Sequence, residues 1–79
     1  MQIEVVESPL GLCTTVYVRN NFSELIIKIN NEFKRNSELE TLLQMQKELE
    51  IILTKMAEEN IKEYRVKAKD ILPQLRRET

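Results

Sequence analysis

After Gly11 the chain contains no further glycine and only one proline, Pro73. Because glycine commonly ends helices and proline interrupts them, a run almost free of both favours helical structure. Three positions in this run have the spacing of a helix start, in which a capping side chain is followed three residues later by a carboxylate. These pairs are Asn21 with Glu24, Ser37 with Glu40, and Asn60 with Glu63. The chain after residue 20 is therefore predicted to be mainly helical.

The first 19 residues have a different composition. Residues 2–7 and 12–19 are rich in Val, Ile, Thr and Tyr, which favour strands. Between them, residues 8–11 place a proline and a glycine where a tight turn prefers them. We therefore predict a β-hairpin over residues 1–19. Because an isolated hairpin is marginally stable in water, its sheet must pack on the helices or extend with a second copy of the chain, and the sequence leaves both open.

The residues that follow Asn21 predict a short helix over 21–35. Apolar side chains recur there at spacings of three and four, which places them on one helical face: Phe22, Leu25, Ile26, Ile29 and Phe33. The same letters from 24 to 30 could instead form a third strand, because β-branched residues favour sheets. The capping pair and the second phenylalanine favour the helix, and the strand remains the alternative.

A helical segment is predicted over residues 37–79, with two apolar stripes. The first stripe is Leu42, Met45, Leu49, Ile52 and Met56; the second is Ala57, Ile61, Tyr64, Ala68, Ile71 and Leu75. Met56 and Ala57 are neighbours and lie about 100° apart around a helix axis, so the stripes are out of phase. The Asn60 capping pair favours a break, whereas Glu58 with Lys62, an i, i+4 ion pair, favours a continuous helix that bends. The sequence favours continuity and leaves the break open.

Together these patterns predict the fold class. We expect a single α+β domain over residues 1–79, in which an N-terminal β-hairpin is followed by a short helix and a long amphipathic helical segment, bent or broken at Asn60.

The residue types that most catalytic and metal sites need are scarce in this chain. It has no histidine, a single cysteine (Cys13), no glycine-rich phosphate loop and no cysteine pair for zinc. We therefore expect no catalytic residues, no cofactor and no metal, and we expect Cys13 to be a buried structural thiol. No stretch approaches the roughly 20 apolar residues of a membrane span, so we expect a cytoplasmic protein without membrane contact.

The first stripe has the alternation of a coiled-coil-like interface. Leu43, Ile51 and Val66 lie outside both stripes and suggest further contacts. The sequence therefore predicts a non-catalytic, homo-oligomeric protein-interaction module, such as a small adaptor or an inhibitor of another protein. Its expected interface residues are Leu42, Leu43, Met45, Leu49, Ile51, Ile52, Met56 and Val66.

The distribution of charge supports an alternative function. Residues 1–59 carry six basic and ten acidic side chains, whereas residues 60–79 carry six basic and three acidic ones. If this basic segment is helical, Lys62, Arg65 and Lys69 lie along one flank and could contact phosphates. The alternative is therefore a binder of nucleic acid or of a small phosphate-bearing ligand. Its candidate anion-binding residues are Lys62, Arg65, Lys69, Arg76 and Arg77.

Overall fold

The computed structural model describes residues 1–30 and 37–75, which form a four-stranded sheet and three helices. In chain order the elements are β1 (Gln2–Glu7), β2 (Cys13–Arg19), β3 (Glu24–Asn30), α1 (Ser37–Gln44), α2 (Gln46–Glu58), β4 (Glu63–Lys67) and α3 (Ala68–Leu75). The predicted α+β class is therefore confirmed. The predicted long amphipathic helix is wrong, because the longest helix within these residues has 13 residues.

The sheet has the strand order β1-β2-β3-β4. The first three strands form an antiparallel meander, and β4 lies parallel to β3 after a crossover that contains α1 and α2. The helix α2 packs on β2, α3 packs on β3 and β4, and α1 packs against both other helices. All three helices cover the same face of the sheet, and we call the opposite side the open face.

One hydrophobic core joins the sheet to the helices. The sheet contributes alternate residues of its two central strands, and each helix contributes its inward face. The buried members are Val16, Val18, Leu25, Ile27, Ile29, Leu42, Leu49, Leu53, Met56, Ala68, Ile71, Leu72 and Leu75. Successive side chains of a strand point to opposite faces of the sheet, so the strand residues between these core positions belong to the open face.

The predicted N-terminal hairpin is present, with β1 and β2 paired without interruption from Gln2 with Arg19 to Glu7 with Thr14. In its turn the Gly11 N–H donates to the Ser8 carbonyl oxygen at 2.9 Å, and Gly11 has φ +67°. Such a φ is favourable for glycine and strained for other residues. The Ser8 hydroxyl also accepts a hydrogen bond from the Leu12 N–H at 3.0 Å. Local turn chemistry therefore sets the hairpin.

The short helix predicted over 21–35 is wrong where the structure describes it, because residues 24–30 form β3; residues 31–35 lie outside the described residues. The strand alternative is confirmed. As a central strand, β3 buries Leu25, Ile27 and Ile29 on the helix side, and Ile26 is also buried on the open face. A strand buried on both faces reads as a continuous apolar run, which hides its period of two.

The turn before β3 uses Asn20, not Asn21, as its capping residue. The Asn20 Oδ1 atom accepts hydrogen bonds from the backbone N–H groups of Phe22 and Ser23, both at 2.8 Å. The predicted Asn21 helix start is therefore a strand-to-strand turn, a setting in which asparagine makes the same kind of side-chain to backbone bond.

Residues 37–75 are not one helix because the chain is interrupted at two places. Met45 separates α1 from α2 with φ −102° and ψ 44°. At the end of α2, Asn60 has φ 61°. The Asn60 N–H donates to the Ala57 carbonyl (3.1 Å), and the Ile61 N–H donates to the Met56 carbonyl (2.7 Å). This paired pattern is the Schellman motif, so Asn60 ends a helix where the sequence predicted a bend or a new helix start.

The segment after Asn60 enters the sheet as β4 because β3 offers it an unpaired edge. The Glu24 N–H donates to the Lys62 carbonyl at 2.8 Å, and the Ser23 hydroxyl donates to the Ile61 carbonyl at 2.9 Å. Ser23 is buried, so this bond satisfies a polar group that water cannot reach. These contacts align β4 with β3 and place α3 directly after it.

Candidate functional site

The outer edge of β1 has no neighbouring strand within the described ranges. Its sequence, QIEVVE, contains no lysine, arginine or proline, and its pairing with β2 has no bulge. Natural edge strands are commonly protected from pairing with other chains by such features. Val5 and Val6 are 40% and 44% exposed, on the helix side and the open face respectively. The edge therefore combines free backbone groups with apolar side chains.

The other edge of the sheet, β4, has more protection. Three of its five residues are charged, in the sequence EYRVK, and Arg65 pairs with Glu63 at 2.9 Å. Tyr64 is half exposed on the helix side. Charged edge residues oppose the approach of a second strand. The two edges therefore differ, and β1 is the better site for strand pairing.

On the open face, the strand register forms three rows of side chains. The rows are Gln2, Arg19, Glu24 and Glu63; then Glu4, Tyr17, Ile26 and Arg65; then Val6, Thr15, Lys28 and Lys67. Arg19 lies between two glutamates, with Nη2 at 3.4 Å from Glu4 and Nε at 2.9 Å from Glu24, the second contact being an ion pair without hydrogen-bond geometry. Its guanidinium carbon also lies 5.5 Å from the centre of the Tyr17 ring. Both arginines of this face therefore have carboxylate partners.

The third row differs, because Lys28 and Lys67 are direct neighbours on β3 and β4. Neither lysine forms an ion pair with another residue in the described part of the chain. They border a cavity of about 470 Å³ at the carboxyl ends of these two parallel strands. The cavity is lined by Cys13, Lys28, Ile29, Asn30, Glu38, Lys67, Ala68 and Lys69. We call this cavity, with the residues that line it, the lysine cavity.

Most of the interface residues that the sequence predicts lie in or against the chain's own core. Leu42, Leu49 and Met56 are buried, and Met45, Ile52 and Val66 are partly buried against the core. Leu43 is partly buried, and Ile51 is 56% exposed on the outer side of α2. The first stripe is thus the face that α1 and α2 direct towards the sheet. An interface role for these residues stays a prediction, and Ile51 is the member most accessible to a partner.

The basic residues predicted to bind anions do not form one strip. Lys62 precedes β4, Arg65 lies on the open face within β4, and Lys69 is in the first turn of α3. The expected common flank is wrong because residues 63–67 form a strand. Lys69 alone of these three lines the lysine cavity. Arg76 and Arg77 lie outside the described residues.

Two features of the surface were not predicted from the sequence. Lys28 and Lys67 become neighbours only through the register of β3 and β4, which no local pattern reveals. The second feature is Val5 on the β1 edge. The sequence did indicate which face Val5 is on, because the alternation of side chains in β1 places it opposite to Glu4 and Val6.

Cys13 is exposed, so the expectation of a buried thiol is wrong. It lies at the start of β2, opposite Asn30, where the helices do not cover the sheet.

None of the helices in the described ranges is long and apolar enough to cross a membrane. Residues 1–30 and 37–75 also hold no group of three or more His, Cys, Asp or Glu side chains arranged to bind a metal ion. Comparisons with protein-family models, with curated proteins and with solved structures give no match for this chain. The fold shows the class of the protein, an α+β sheet covered on one face by helices. The features that bear on function are those of its surface.

Proposed function

We propose that this protein acts by binding rather than by catalysis, as a homo-oligomeric protein-interaction module whose β1 strands join two copies. The observation that supports this most is the outer edge of β1, which has two glutamates but no lysine, arginine, proline or bulge. Backbone N–H and C=O groups on such an edge can pair with a second strand, and the exposed Val5 and Val6 would lose contact with water. The absence of histidine from the chain also favours binding over catalysis.

A second copy of the chain is the occupant that best fits this edge. Two identical edge strands can pair antiparallel about a two-fold axis perpendicular to the sheet, which gives a closed, self-complementary contact. Both helix layers then lie on the same side of one continuous eight-stranded sheet, twice the four strands of one chain. Pairing β1 with the β4 edge of another copy would instead repeat without closing and would meet the charges of β4.

The charges of β1 favour one register. Because the helix layers of both copies lie on the same side of the sheet, two residues that pair across the axis must also lie on the same side of it. A register centred on Glu4 would place it opposite Glu4 of the second copy, and like charges in this position are destabilising. Of the two registers that keep partners on the same side and pair the most residues of β1, centred on Glu4 or on Val5, only the one centred on Val5 avoids that contact. It pairs Val5 with itself and Val6 with Glu4 of the second copy.

The mass of the protein tests this proposal. Sedimentation velocity over a dilution series should give twice the 9.4 kDa chain mass at high concentration. Val5→Lys should give a monomer, because two lysines would meet at the axis. Val5 is 40% exposed, so a lysine there can reach water in the monomer without disturbing the core.

Val6→Lys is the matched control, since it adds the same charge to the next residue. In the proposed register the new lysine lies opposite Glu4 of the second copy, so the dimer should persist. A wild-type protein that stays monomeric at the highest concentration reached would contradict the proposal. Loss of the dimer in Val6→Lys but not in Val5→Lys would contradict the register.

A dimer of this kind would present two open faces side by side. Each face carries rows of charged side chains around a half-buried Tyr17. Such a surface suits binding to another protein, as expected of a small adaptor or inhibitor. The alternative, binding of nucleic acid through the basic C-terminal segment, has less support. Lys62, Arg65 and Lys69 are distributed over a loop, a strand and a helix and do not follow one line.

A further inference from the structure

On the open face, Lys28 lies beside Lys67, and no carboxylate of the described residues balances this pair. Paired positions on neighbouring strands are about 5 Å apart, and like charges there repel each other. Arg19 and Arg65, on the same face, are both matched by glutamates. Two neighbouring cations without a carboxylate partner among the described residues favour an anion held between them.

Further positive groups converge on the same place. Lys69 lines the lysine cavity from the first turn of α3, and Ala68 begins that helix beside it. The first N–H groups of a helix have no partner within the helix and carry partial positive charge. One carboxylate, that of Glu38, also lines the cavity. It lies in the first turn of α1, where the helix dipole stabilises it, and it forms no ion pair with these lysines among the described residues.

The cavity also lies at a place in the fold where ligands commonly bind. It borders the carboxyl ends of β3 and β4, the parallel pair of this sheet. Open sheets with parallel strands tend to bind ligands at this edge, because the loops and helix N-termini that follow the strands meet there. Among the described residues, three lysines against one glutamate give the lining an excess of positive charge. Its chemistry therefore matches a compact, multiply charged anion.

We propose that the lysine cavity binds a small phosphate-bearing ligand through Lys28, Lys67 and Lys69. A volume of about 470 Å³ is within the range of small-molecule sites. Nucleic acid is the less suitable occupant, because its regular backbone needs an extended line of cations, whereas the neighbouring Arg65 is already paired with Glu63. This site does not depend on the β1 dimer, which forms at the opposite edge of the sheet.

Titration with inorganic pyrophosphate and with adenosine diphosphate, followed by amide chemical shifts, tests the proposal. We expect the largest shifts at Lys28 and at residues 67–69, and saturable binding in calorimetry. The double variant Lys28→Gln, Lys67→Gln should bind at least about tenfold more weakly, because two charge-assisted contacts are lost. Its thermal midpoint should not fall, since the substitution removes neighbouring like charges.

The matched control is Lys47→Gln, Lys55→Gln, which removes the same charge from two exposed lysines of α2 that do not line the cavity. It should keep the wild-type affinity. Equal weakening by both double variants would mean attraction by net charge alone and would overturn the site. Absence of saturable binding of either probe would overturn it too. Tighter binding of a single-stranded oligonucleotide, with shifts spread over Lys62 and Arg65, would replace it with a nucleic-acid surface.

Discussion

At the scale of single residues, asparagine makes the same interactions at helix starts, in turns between strands and at helix ends. Its side-chain oxygen accepts backbone N–H bonds, and it tolerates positive φ better than most residues. These properties suit a helix start, a turn between strands and a helix end. Asn20 closes a turn between strands, and Asn60 ends α2. A capping pattern in the sequence therefore locates a change of backbone direction more securely than it identifies the element that follows.

The turn before β3 allows this point to be tested with two adjacent asparagines. Asn20→Ala removes the acceptor of two backbone hydrogen bonds, one of them to the buried Ser23. We expect the free energy of unfolding to fall by about 1–2 kcal/mol in urea titrations. Asn21→Ala, at the exposed position that the sequence predicted as a cap, should change it by less than about 0.5 kcal/mol. The reverse order would contradict the assignment of the turn.

At the scale of elements, local patterns predict what local interactions determine. The hairpin follows from β-favouring runs around a proline-glycine turn. The first stripe, which the sequence predicted as an assembly interface, coincides with the inward face of α1 and α2. Strands β3 and β4 were missed because their stability comes from pairing between distant segments. In β4, Glu63 and Lys67 have the spacing of a helical ion pair, yet an available edge of β3 outweighs a helix preference of a few tenths of a kcal/mol.

The residues of the candidate sites also differ in whether a local sequence pattern reveals them. Val5 is visible in the sequence as an apolar residue on an alternating strand, although its exposure depends on the helices leaving β1 uncovered. Lys69 was singled out from the local excess of basic residues. Lys28 and Lys67 could not be connected, because parallel pairing through a crossover carries no signature in either segment. The site is therefore a product of topology.

The helix α2 offers an element-scale test of which face is structural. Leu53 is fully buried against the sheet, whereas Ile51, two residues earlier, is 56% exposed. We expect Leu53→Ala to lower the free energy of unfolding by about 2–5 kcal/mol, through lost burial and the cavity left behind. Ile51→Ala should change it by less than about 0.5 kcal/mol. Chemical denaturation measures both values, and equal losses would contradict the orientation of α2.

The same geometry changes how the predicted oligomer interface should be tested. Leu49 is fully buried, so a charged residue there would leave an unpaired charge in the core and unfold the chain. Loss of an oligomer in that variant would say nothing about an interface. Substitutions at exposed positions, such as Val5 and Ile51, keep the fold and therefore separate assembly from stability.

At the scale of the whole molecule, a chain of 79 residues has little surface to bury in its own core. All three helices cover one face of the sheet, and the open face and the β1 edge remain in contact with water within the described ranges. Joining two sheets at β1 would add backbone hydrogen bonds and cover Val5 without any change in the monomer fold. Assembly would then contribute to stability, because the dimer contains only folded chains.

This coupling predicts that stability depends on protein concentration. For the wild type, the midpoint of thermal unfolding should rise by a few degrees for each tenfold increase in concentration above the dissociation constant. Val5→Lys should unfold at a midpoint independent of concentration, because a monomer has no assembly step, whereas Val6→Lys should behave like the wild type. Scanning calorimetry over a concentration series measures all three. A wild-type midpoint that does not move, in a protein that sediments as a dimer, would show that β1 pairing is too weak to support the fold.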